Sequence, residues 1–242
     1  MRAAHATREV NYINRYFNSI RKLEMKEPVS FRGKIKLHGT NGAISVQNGS
    51  QVYVQSRNTF LSKEKDHHDF AKWALETKTK NYFKSLFQKG DGYWALTFFG
   101  EWCGKGTSSL PPPPTTSLTL YTIGIMKGAS ICDVDQRYFA VFAALLNKDR
   151  LITNPARIEE LLHYSEKEVV PKEIVVIPWQ TEEIALVFSD QQQLLPKIEI
   201  LNELVDRVEK EDPWVKERFG VSGSGEGWDP PFHLLSSYLP FA

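Results

Sequence analysis

The chain has 242 residues, 41% of them hydrophobic and 24% charged, with 30 Lys and Arg against 29 Asp and Glu for a formal charge of +1. That length accommodates one large domain or two small ones with a real core. The apolar share excludes wholesale disorder and a collagen-like fibre, and the near-zero charge excludes a global basic field, so any nucleic-acid contact must come from a local patch.

Over 8–26, Val10, Ile13, Phe17, Ile20 and Leu23 share a face at helical spacing, which predicts an amphipathic helix packed on the domain. From Val29 the period becomes two, with Phe31, Gly33 and Ile35 alternating with Arg32, Lys34 and Lys36. Two β-rich runs, Ala43 to Val46 and Val52 to Val54, then flank Asn48-Gly49, a strong hairpin signal. Residues 63–90 are lysine-rich and place Trp73, Tyr82, Phe83 and Phe87 at helical intervals. From Arg57 to Lys89 eight Lys or Arg stand against four Asp or Glu, a bias that reads as a solvated helix face rather than a nucleic-acid patch.

Strand-like composition returns from Tyr93 to Phe99 and ends at Gly100-Glu101. The uncharged stretch from Gly106 to Met126 contains the run Pro111 to Pro114, too polar and proline-broken for a membrane span. Tyr138 to Leu146 is an apolar strand, and Glu173 to Pro178 another. Charged amphipathic helices are expected over 157–162 and 191–218. Hairpins with helices at the sides predict an α+β fold with antiparallel sheets rather than a parallel doubly wound one. Cys103 and Cys132 are too few for a disulfide framework or a zinc site, and no apolar signal segment opens the chain. A monomeric, intracellular, cytoplasmic protein without membrane contact is expected.

The most informative string is Lys36-Leu37-His38-Gly39-Thr40-Asn41-Gly42. A lysine ends a strand, and a glycine three positions later lets the backbone turn tightly beneath it. Burial or neighbouring cations can deprotonate such an amine and make it a nucleophile toward an electrophilic phosphate. Alone, lysine and glycine at this spacing describe an ordinary surface lysine before a turn.

The full Lys-x-His-Gly-Thr-Asn string resembles the nucleotidyl-transfer motif of ATP-dependent RNA ligases of the nick-sealing phage type. Four further matches follow in family order. Ser56-Arg57-Asn58 resembles the motif whose arginine helps hold the nucleotide. Phe99-Gly100-Glu101 resembles the motif whose glutamate contacts the AMP ribose. Tyr138 to Phe142 resembles the strand that stacks an aromatic, here Phe142, on adenine. Gly225-Glu226-Gly227 resembles the motif whose glutamate serves the metal-dependent steps. Taken singly, Glu101 is an ordinary edge-strand acid, Phe142 plain core, Arg57 half of a surface ion pair, and Glu226 a solvated loop acid. His38 and Asn41 read as turn-stabilising residues or, by the resemblance, as positions that matter for sealing.

The resemblance implies a single adenylyltransferase domain over 1–242, with two antiparallel, ATP-grasp-like sheets flanked by helices. It implies ATP, held as AMP on Lys36, and magnesium (Mg2+), with Glu226 as metal ligand. AMP then passes to the 5′-phosphate of an RNA, and a 3′-hydroxyl end displaces it, as at a nick in a duplex. Other lysine nucleotidyltransferases, such as DNA ligases and capping enzymes, carry different residues after the lysine.

Two departures from the family pattern stand out. Removing 107–124 would join Gly104-Lys105-Gly106 to Ile125-Met126-Lys127-Gly128, restoring a family segment in which Lys127 binds nucleotide. Residues 107–124 therefore read as a surface-loop insertion or as a mis-spliced segment. Beyond Glu226, the family's lysine pair is missing, because residues 227–242 contain neither Lys nor Arg. Asp229 stands where an apolar residue would face the adenine, and Pro230-Pro231 would break a strand, so 229–242 is an atypical C-terminus. His233 is the weaker candidate for a substitute cation. The alternative to a ligase is thus a catalytically impaired pseudo-ligase that binds nucleotide or RNA without sealing.

Overall fold

Most of the period-two segments become strands of one large sheet. The protein is seen in a computed structural model that describes residues 28–48, 50–66, 68–87, 94–105, 129–165, 168–188 and 190–225. The helix expected over 8–26, the 107–124 insertion, Lys127, Glu226, His233 and the 229–242 tail lie outside the described residues.

Strands β2 (Thr40–Gln47) and β3 (Gln51–Ser56) form the expected hairpin, with Gln47 opposite Gln51 and Asn48 at φ 49 in the turn. β4 (Phe60–Leu61), β5 (Ala95–Gly104), β6 (Arg137–Leu146) and β7 (Arg150–Ile152) complete the order β4-β3-β2-β5-β6-β7. These pairings are antiparallel, while β8 (Ile174–Val176) joins β6 in parallel. A second, antiparallel sheet pairs β1 (Val29–Phe31) with β9 (Ile184–Leu186). The fold is therefore α+β, with two sheets and helices at their sides, as the sequence patterning predicts.

The strand expected from Val29 to Lys36 is a ladder only over its first three residues. Its alternation survives further, because Phe31, Gly33, Ile35 and Leu37 are buried while Arg32, Lys34 and Lys36 are half-buried. Backbone bonds to the 180–181 turn hold this stretch. Gln180 N–H donates to Gly33 O, and Gly33 N–H to Thr181 Oγ1, both at 2.8 Å. Burial pattern and hydrogen-bond pattern are separable, and only the first was legible.

Each face of the large sheet buries a separate core. On one side Ile44, Val46, Val54, Leu96, Phe98, Trp102, Phe139 and Val141 pack against α1 (Phe70–Ala74), α2 (Thr77–Ser85) and α3 (Pro155–Leu162). Phe70, Phe83 and Ile158 are fully buried there, each stabilising the fold by about 1.5–3 kcal/mol. On the other side Cys103, Ala140 and Val175 meet Ile35 and Leu37, the 3₁₀ turn Ser130–Asp133, and the helices α4 (Gln191–Lys210) and α5 (Pro213–Phe219).

Both long helices expected from periodicity are broken in two. Over 63–90, Asp66 caps α1 through bonds from the backbone of Ala71 and Lys72 at 2.7 and 2.9 Å. Phe70 and Trp73 then pack on Trp102, at ring separations of 5.5 and 4.9 Å, and α2 restarts after an extended Glu76. Over 191–218 the break is Asp212-Pro213. The buried Asp212 carboxylate accepts from Trp214 and Val215 N–H at 3.0 and 2.9 Å, and proline pre-sets the first helical residue.

Candidate active site

The segment 32–39 crosses the second face of the large sheet, anchored by Ile35 and Leu37 in the core there. Its two ends have defined crossings. At the near end Lys34 Nζ donates to Phe142 O on β6 at 2.8 Å. At the far end a Cβ added to Gly39 would lie 2.5 Å from Trp102 O and 2.9 Å from Glu101 Cγ and Cys103 Cβ on β5. Lys36 and His38 fall between these crossings, the first half-buried and the second buried. The chain bends at His38-Gly39, where the sequence reading places a tight turn. The positive-φ glycines described are Gly104 and Gly220, and Gly39 is required because its backbone presses against β5.

Antiparallel register sets Asn41 of β2 directly opposite Glu101 of β5. Trp102 belongs to the helix-side core, so alternation sends Asn41 and Glu101 to the other face, the one that Lys36 crosses. Ser56 lies opposite Gly42, and Arg57 follows it, exposed, where β3 ends. Glu101 in turn lies opposite Ala140 of β6.

Phe142 occupies a bulge. Phe99 pairs with Ala143 while Gly100 pairs with Val141, leaving Phe142 as the extra residue. Such a bulge re-aims side chains and shifts the inward set. Phe139 and Val141 face the helix-side core before it, and Ala144 and Leu146 face it afterwards. The half-buried Phe142 ring packs on the second core. Lys36 and His38 thus lie on the crossing segment, and Asn41, Arg57, Glu101 and Phe142 on or just past β2, β3, β5 and β6 of the large sheet. Lys127 and Glu226 lie outside the described residues, as stated.

Several contributors escape sequence reasoning. Gly42 and Gly100 face each other and leave room beneath the site, since a Cβ on either would lie 2.6 Å from the Phe70 ring or 2.7 Å from the Phe139 ring. Lys34, which reads in the sequence as a solvent-side strand position, is half-buried, and burial lowers its pKa to about 7. Behind the sheet, a cavity of about 510 Å³ is lined by Trp73, Trp102, Arg137, Asp69 and neighbours, and it includes none of the expected site residues. There Arg137 bonds His68 O and the Asp69 carboxylate at 2.7 and 2.8 Å. Lys72 and then Arg137 hold the Asp69 carboxyl well below the usual carboxylate range.

Among the described residues no three His, Cys, Asp or Glu side chains gather as a metal site. No described helix is long and apolar enough to cross a membrane.

A lysine-bearing segment laid across an antiparallel sheet, with an acid and a bulged aromatic beside it, is the frame that the sequence motifs lead one to expect for a nucleotidyl-transfer domain. The RNA ligase family model matches residues 31–215, and the chain belongs to that family. Among solved structures it is similar to an RNA ligase of Naegleria gruberi, an apo lysine-to-alanine mutant, with 13% identity and a TM-score of 0.48 over 86% of this chain and 48% of that one. It is also similar to Pmar-Lig in one form at 14% identity and TM-score 0.39, covering 78% of this chain and 38% of that one. A second Pmar-Lig form gives 15% and 0.38, covering 86% and 42%. The chain spans about half the length of the Naegleria ligase or less of these structures. No curated protein matches it.

Proposed function

We propose that this chain carries the adenylyl-transfer chemistry of an ATP-dependent RNA ligase, with Lys36 as nucleophile. The observation that carries the reading is the crossing of segment 34–39 between the Phe142 bulge and Glu101, with Lys36 in the middle. The residues present fit a nucleotide. Phe142 offers a ring for adenine, Glu101 a carboxylate for two ribose hydroxyls, and Arg57 a guanidinium for phosphate. Asn41, opposite Glu101, and His38, beside Lys36, supply polar groups for the later steps.

In the first step the Lys36 amine, once deprotonated, attacks the α-phosphorus of ATP. A P–N bond forms, the bond to the bridging oxygen breaks, and pyrophosphate leaves. In the second, the 5′-phosphate of an RNA takes the AMP from Lys36. In the third, a 3′-hydroxyl attacks that phosphate and releases AMP, closing a nick in a duplex. Catalysis of this kind rests on positioning and charge neutralisation. Magnesium, when bound, would supply part of that neutralisation. Glu226 and Lys127 are proposed as its ligand and as a nucleotide contact. The setting proposed is a monomer in the cytoplasm, consistent with free Cys103 and Cys132.

The test is incubation with magnesium and α-labelled ATP. The account expects label that stays with the protein, resists alkali, is released by acid or acidic hydroxylamine as a P–N bond requires, and is abolished by Lys36→Ala. ATP binding without label between about pH 6 and pH 9 would favour the pseudo-ligase reading.

A further inference from the structure

Lys34 has no place in the motif string, yet it holds together the two pieces on which the proposed chemistry depends. Its Nζ donates to Phe142 O at 2.8 Å and to Thr153 O at 2.7 Å, and lies 4.7 Å from the centre of the Trp179 ring. The first acceptor is the carbonyl of the bulge residue. The second lies just past β7, the edge strand paired with β6. Burial depresses this amine, and among the described residues no carboxylate is paired with it. A buried cation without a carboxylate costs stability that an apolar side chain of the same length would not. An amine in that position, spanning two carbonyls, does something a methionine cannot.

A bulge takes its residue out of the regular ladder pattern and lets the strand bend. Lys34 supplies a donor to Phe142 O from the same segment that carries Lys36, two residues on and on the same side by alternation. One amine therefore fixes the offset between the bulged aromatic and the nucleophile. We propose that Lys34 is a positioning residue that sets the distance between Phe142 and Lys36, so that a base stacked on the first delivers its α-phosphate to the second. This rests on the adenylyl-transfer reading above. Geometry of this kind is rate-determining in proportion, since a displacement of about 1 Å can cost about 100-fold.

The experiment compares wild type, Lys34→Met and Lys34→Arg in the full chain. It measures single-turnover self-adenylylation against ATP concentration, thermal melting, and equilibrium ATP binding. Lys34→Met is expected to melt at or above the wild-type temperature. It should adenylylate about 10–100-fold more slowly at saturating ATP and bind ATP more weakly. Lys34→Arg, whose guanidinium can still donate to both carbonyls, should recover part of the rate. Wild-type rate and ATP dependence in Lys34→Met overturn the proposal, as do equal losses in both variants that track a fall in melting temperature. If the wild-type chain takes no label, the adenylyl-transfer reading fails by itself. Weaker ATP binding by Lys34→Met, recovered in Lys34→Arg, then still supports the positioning of Phe142, and equal binding overturns it. A chain that binds no ATP overturns both.

Discussion

Gly39 is required by space rather than by a left-handed backbone, and the distinction has consequences. A methyl group there meets a backbone oxygen at 2.5 Å, which no side-chain rotation relieves. Gly39→Ala should therefore push segment 34–39 off β5, destabilising the fold by about 1–3 kcal/mol. Urea denaturation measures that cost. Self-adenylylation should fall more steeply than the folded fraction, because Lys36 moves with Gly39. An alanine variant with unchanged stability and rate would show that the loop is not pressed on the strand. The motif string marked Gly39 for a turn but not for its packing, since a close approach between segments more than 60 residues apart has no local signature. Lys34 was illegible for the same reason. Its alternation with Ile35 and Leu37 identified the face, but nothing local indicated that Trp179 and two carbonyls would close over that face.

At the level of elements, local chemistry predicted types and ends better than lengths. Asn48-Gly49 placed the β2–β3 hairpin, and the apolar run after Tyr138 placed β6, because both signals are local. The break inside 191–218 had a signal too, Asp212-Pro213, and Asp66 marked the late start of α1 within 63–90, but helical periodicity masked both. Asp212 is the clearer case, as its carboxylate is buried and caps two backbone donors. Asp212→Ala should cost about 0.5–2 kcal/mol, measured by denaturant midpoint. Asp212→Asn should cost less, because its amide oxygen can still accept, and an alanine variant as stable as wild type would refute the cap. The Phe142 bulge had no sequence signal at all. It is visible only where the β5–β6 register jumps, and it lets Phe142 join the second core while Ala144 and Leu146 return to the first.

Across the whole molecule, the near-neutral charge conceals an unusual distribution. Many cations line exposed helix faces, while Lys34 sits half-buried with its pKa lowered from 10.5 to about 7. Between those values the unfolded chain holds a proton that the folded chain has lost. Stability from this group therefore rises with pH across that window and is flat below it, where both states are protonated. Lys34→Met removes the rise, so its stability advantage over wild type should be largest near pH 6 and shrink toward pH 10 in paired denaturation curves. A constant difference would mean that Lys34 titrates as an ordinary surface lysine. The two cores make the sheet a partition, with α1, α2, α3 and the Trp73 cavity on one side and the crossing segment with α4 and α5 on the other. The α+β architecture was legible from patterning, whereas the division of labour between faces emerged only from register.

The central claim is that Lys36, and not its half-buried neighbour Lys34, accepts the adenylyl group. Peptide mapping by mass spectrometry after reaction with ATP and magnesium tests it most directly. The account predicts a single AMP adduct on Lys36, absent in Lys36→Ala and retained, at a lower rate, in Lys34→Met. An adduct on Lys34, or one that survives Lys36→Ala, would contradict it.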